Sequence, residues 1–136
     1  MTSIALDLVV FFLALFFAIV FIQSGFDKVF NISDNYSFLK SHFKQTILRN
    51  YVFFMLIIIT VLECLTGIVL LLGLFLFVFN QFDFAFNILT LGFIMSNLTI
   101  ICLFMGQRIA KDYVGAASLT GYFILSILSL FCLNFI

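Results

Sequence analysis

One carboxyl in this chain sits where carboxyls are expensive. Glu63 lies in the run YVFFMLIIITVLECLTGIVLLLG. Counting about 1.5 Å per residue from Arg49 places it roughly 20 Å into an apolar rod, near the middle of a bilayer. An acid at that depth faces the interior of a helix bundle, pairs with donors or stays protonated, and marks a candidate functional site. Thr60, Thr66 and Gly67, three and four residues away, give its helix a narrow polar face suited to close helix contact. Donors available on other runs are Asn97, Thr90, Gln23 and Ser118. Two readings follow. In one, Glu63 takes or gives a proton beside a bound quinone or another small hydrophobic molecule. In the other it is a polar staple that fixes helix packing. The expected buried polar cluster is Glu63, Thr60, Thr66 and Asn97.

Other residues with chemical potential have simpler explanations. Asp27 and Lys28 in QSGFDKVF, and Lys111 and Asp112 in RIAKDYVGA, fall at helix ends; Asp112 suits the positive end of the helix that follows it. Asp7 is placed to reach headgroups at the other face. Ala117-x-x-x-Gly121 allows a close helix approach and is read as packing. Cys64, Cys102 and Cys132 stand singly in separate apolar runs without a C-x-x-C, which argues against a thiol redox pair or a zinc site, and no metal site is expected. His42 is the single histidine, so the paired ligands of a membrane haem cannot come from one chain. There is no glycine-rich phosphate loop, no Ser-His-Asp set and no repeated arginine spacing of a voltage sensor.

The elements that must position these residues follow from composition. Of 136 residues, 65% are apolar and 9% charged, and mean hydropathy is +1.35. No soluble domain of this size can hide so much apolar surface. The 22 phenylalanines read as lipid-facing and packing material. Net charge is zero, so nothing suggests nucleic acid. The lipid bilayer is the expected surrounding. Alternation of the kind found in membrane barrels is absent, and the class is all-α. Four spans are predicted over about 4–24, 51–79, 84–106 and 113–135, forming a transmembrane four-helix bundle in a single domain, 1–136. The first is read as a permanent helix and not a cleaved signal, because no Lys or Arg precedes it and no A-x-A-like site follows.

Basic residues set the orientation. Lys28, Lys40, Lys44 and Arg49 fall in the first connection, Arg108 and Lys111 in the third, and none in the second or at the ends. The positive-inside rule then makes that face cytoplasmic and puts both termini outside. Tyr51 and Tyr113, each opening a span next to a basic residue, suit the headgroup layer. Within the first connection, SDNYSFLKSHFKQTILRN predicts a short interfacial helix between helices 1 and 2, capped by Ser33 or Asp34. Leu39, Phe43, Thr46 and Ile47 would share one face, with Lys40 and Lys44 off it. A helix packed over the bundle's end is the alternative.

Three stretches together resemble the DoxX family of small four-helix membrane proteins, especially the versions of Bacteroidetes-type bacteria. They are FIQSGFDKVFN, ECLTGIVLLLGL and GQRIAKDYVGAASLTGYF. The matching residues are Ser24, Gly25 and Lys28; Glu63, Gly67 and Gly73; and Asp112, Gly115 and Ala116. The resemblance implies a bacterial inner-membrane protein, multi-pass, with both termini periplasmic. It also implies that the small residues of the last stretch seat the fourth span against the bundle. Some relatives are counted as the membrane subunit of thiosulfate:quinone oxidoreductase, and others are linked to thiol-redox stress. With few catalytic groups and no cofactor motif in the chain, the expectation is an accessory subunit of a larger membrane assembly, its partners other membrane-protein subunits. The alternative is a quinone-linked redox subunit in which Glu63 handles protons.

Overall fold

The computed structural model describes residues 2–136, with side chains from Ile4 onward. Five helices follow in order: α1 (Thr2–Phe30), α2 (Ile32–His42), α3 (Val52–Val78), α4 (Phe82–Ile109) and α5 (Tyr113–Leu133). All but α2 are long and apolar enough to cross a membrane. The architecture is the expected all-α bundle, because in hydrocarbon a spanning segment must satisfy its own backbone groups and a helix does so internally. α1 packs chiefly on α3, α3 on α4 and α4 on α5, and a smaller α1–α5 contact closes the bundle. The core is built from Val10, Ala14, Phe17, Leu70, Leu89 and Phe93. Phe17 and Phe93 meet edge to face, their ring centres 6.2 Å apart.

Glycines bring the spans together. A Cβ on Gly25 would lie 2.7 Å from the Cys64 Sγ, and one on Gly67 would lie 2.7 Å from Ile22 Cδ1. Gly73 faces Leu89 and Gly92 faces Leu70 in the same way across α3 and α4. Each glycine receives a larger side chain from the neighbouring helix, and the backbones approach closely.

Two differences from expectation matter for the site. α1 continues to Phe30 and does not stop near Ser24, so Gly25, Asp27 and Lys28 ride its last turns and not a loop. A single residue, Asn31, separates α1 from α2 and is the N-cap of α2, with no side-chain capping bond, so neither Ser33 nor Asp34 caps it. Its expected apolar face is also broken. Phe43 is buried just past the helix, whereas Ile47 stands 83% exposed in the turns that lead to α3.

The turns after α3 and α4 share one construction. Asn80 and Lys111 both have φ 59°, and the residue after each donates back into the helix, Gln81 N to the Leu76 carbonyl and Asp112 N to the Gln107 carbonyl, both at 2.9 Å. These are left-handed helix stops. Asparagine tolerates that conformation; lysine adopts it at a cost of about 1–2 kcal/mol.

Candidate functional site

Glu63 is 1% exposed, and its partners come from α1. Lys28 Nζ lies 2.8 Å from Glu63 Oε2, outside hydrogen-bond angles but in ion-pair contact. The same ammonium donates to Ser24 Oγ at 2.8 Å and to the Ser24 carbonyl at 3.4 Å. The Ser24 hydroxyl in turn donates to Glu63 Oε1 at 3.0 Å. A closed triad results, in which one hydroxyl bridges the ammonium and the carboxylate. As a net-neutral pair with both ions hydrogen-bonded or in contact, it lowers the cost of holding a charge in the apolar interior.

The helices produce this geometry in a simple way. Ser24 and Lys28 are four residues apart, so they share a face of α1, and helical side chains lean toward the helix N-terminus. Lys28, near the C-terminal end of α1, therefore points back into the bundle. Gly25, three residues before Lys28 and turned toward Cys64, removes the side chain that would keep α3 away. The sequence signal was present, since Ser24-x-x-x-Lys28 needs only a helix that runs through Gly25. Placing Lys28 in a connection hid it.

The expected polar cluster is divided. Glu63, Thr60, Thr66 and Asn97 are all buried, but no hydrogen bond joins Glu63 to the other three. Thr60 donates to the Leu56 carbonyl and Thr66 to the Leu62 carbonyl, each at 2.6 Å, and Thr66 Oγ1 lies 3.3 Å from Thr99 Oγ1 on α4. Asn97 donates to the Phe93 carbonyl at 2.9 Å, and its Oδ1 is buried without a partner among the described residues. Of the donors weighed for Glu63, Asn97, Thr90, Gln23 and Ser118, none bonds to it; Thr90 and Ser118 turn back onto their own helices.

At the fourth span, Asp112 caps α5 by accepting from Gly115 N at 2.9 Å. The small residues behind it do not all seat the helix. Ala116 is buried, but Ala117 and Gly121 face outward and nothing lies within 4 Å of where a Gly121 Cβ would be. The expected packing role of Ala117-x-x-x-Gly121 within the bundle is therefore corrected: α5 turns Ala116, Ser126, Ser129 and Cys132 inward instead. Asp7, at the opposite end, has Oδ1 buried without a hydrogen-bond partner among the described residues. The three cysteines are all free thiols.

A protein-family model described as DoxX matches residues 9–97. No curated protein and no solved structure matches the chain. The matched span runs from α1 into α4, takes in Ser24, Lys28 and Glu63, and ends before Asp112. Four apolar spans and a match over more than half its length make this a multi-pass membrane protein of the DoxX family.

Proposed function

We propose that the protein is an accessory subunit of a larger inner-membrane assembly, in a bacterial membrane, with both termini periplasmic. The observation that carries this reading is the enclosure of the triad. Glu63 is sealed between α1 and α3, and its charge serves to lock two spans of the same chain. The surfaces left for a partner are the apolar flanks and the end that holds α2 and the α4–α5 turn. Five of the six basic residues lie at that end, and the sixth, Lys28, turns inward; by the positive-inside rule that end faces the cytoplasm. Extraction at native abundance in a mild detergent, followed by native electrophoresis, tests the reading. A species well above 15.5 kDa that carries other subunits supports it. Recovery of the lone chain only, across detergents, overturns it. Reporter enzymes fused to each terminus test the orientation, and both must be active only outside the cytoplasm.

A second reading makes the chain the membrane subunit of a quinone-linked oxidoreductase, with quinone as its cofactor and Glu63 handling protons. It is favoured by the order of the triad. The Lys28 side chain is 16% exposed while that of Glu63 is 2% exposed, so the polar chain runs from a sealed carboxyl toward the more open end of α1. Glu63→Gln should then abolish quinone-dependent electron flow in membranes while the protein still folds; unchanged flow removes this reading.

A further inference from the structure

Two cavities meet at His42. One, of about 230 Å³, is lined by apolar side chains of α2, α3 and α4, among them Leu39, Met55, Ile59 and Leu103. The other, of about 240 Å³, is polar, and Lys44, Thr46 and Lys111 line it beside the α4–α5 turn. His42 lines both, and its Nε2 is 2.9 Å from Gln107 Oε1, a contact that pins the end of α2 to the end of α4. Thus an apolar slot among α2, α3 and α4 opens beside a basic slot at the end of the bundle.

The charges around the basic slot are unbalanced. Lys44 and Lys111 have no ion-pair partner among the described residues. Asp112 stands beside His42, its Oδ2 3.8 Å from His42 Nε2 while its Oδ1 is held by the α5 cap. Lys111 also occupies a left-handed backbone conformation that glycine or asparagine would adopt at lower cost.

We propose that the paired cavities bind one anionic phospholipid, its phosphate between Lys44 and Lys111 and an acyl chain in the apolar slot between α3 and α4. Charge complementarity favours an anionic over a zwitterionic lipid, and the adjoining apolar slot favours a lipid over free phosphate. The seated lipid would tie α2 and the α4–α5 turn together at the basic end.

Native mass spectrometry of the full chain, released from detergent after addition of phosphatidylglycerol or phosphatidylcholine, tests this. The expected result is retention of one phosphatidylglycerol, with phosphatidylcholine bound far more weakly. The paired substitution Lys44→Gln with Lys111→Asn removes both charges without backbone cost, and should weaken retention about 30-fold, at roughly a fivefold loss per lysine near a charged surface. The control pair Lys40→Gln with Arg49→Gln removes the same charge from the same end outside the slot and should leave retention within about twofold. Equal binding of the two lipids overturns the proposal. So does equal loss in both variant pairs, which would mean diffuse attraction only. Displacement of the lipid by millimolar inorganic phosphate, or by a neutral quinone in preference to phosphatidylglycerol, would also overturn it. Photo-crosslinking with a phosphatidylglycerol carrying a diazirine in its acyl chain gives an independent check. Adducts on Met55, Ile58 or Leu103 support the assignment, and adducts confined to the outer faces of α1 and α5 sink it.

Discussion

The α1–α3 seam and the outer face of α5 use the same residue types for opposite ends. In the seam, Gly25 and Gly67 are filled by Cys64 and Ile22 of the facing helix, and a serine, a lysine and a glutamate close into a triad beside them. On α5, Ala117 and Gly121 have the spacing of a helix-contact motif, yet both are exposed and a Cβ on Gly121 would meet nothing within 4 Å. Small residues permit close approach, but a bulky or charged partner on the opposite helix decides whether it happens. In a bilayer this distinction sharpens, because no hydrophobic drive brings one apolar helix to another and packing plus polar contact must suffice.

The largest effect should come from breaking the triad on one side. Lys28→Met leaves Glu63 buried without its counter-charge and should cost about 3–5 kcal/mol of stability, read as a loss of folded fraction in an SDS titration. The paired change Lys28→Met with Glu63→Met removes both charges and should recover most of that loss. If the single variant unfolds no more readily than the parent chain, the ion pair does not hold α1 to α3.

Next in size is the seam's backbone approach. Gly67→Ala places a methyl 2.7 Å from Ile22 side-chain atoms and 3.0 Å from the Ile22 backbone nitrogen, so the helices must separate. The expected cost is about 1–3 kcal/mol. Retention of the parent's SDS midpoint would mean that Ile22 rotates away freely and that the seam is looser than its geometry. Asp112→Ala removes the α5 cap and should cost about 1 kcal/mol, measurable by the same titration and restored by Asp112→Ser.

Much of this was legible in the sequence. Apolar runs of spanning length gave the bundle, and the basic connections showed that α2 and the α4–α5 turn share one end. Glu63 was recognisable as the costly residue because its depth follows from counting along a helix. Its partners were not, for a specific reason: Gly25 and Asp27 read as the start of a loop, yet in a bilayer a helix continues while its backbone remains in hydrocarbon. Once α1 is carried through Gly25, Ser24 and Lys28 fall on one face and aim at α3. The outward face of α5 was hidden by a different degeneracy. Ala117-x-x-x-Gly121 is a statement about what a helix surface allows, and the rotation of α5 about its axis is set by Ala116, Ser126 and Ser129 against α4 and α1, which spacing alone does not reveal.

The smallest expected effect sharpens the comparison most. Gly121→Ala adds a methyl where nothing lies within 4 Å, and alanine is the better helix former by up to about 1 kcal/mol. In the isolated chain the substitution should leave the SDS midpoint unchanged or raise it slightly, the reverse of Gly67→Ala in the α1–α3 seam. A fall in stability of the isolated chain would mean that α5 packs through Gly121 after all. A variant that is stable alone but lost from a native complex would instead give the open small-residue face a partner, because a methyl there would act only on a helix that comes from outside the chain.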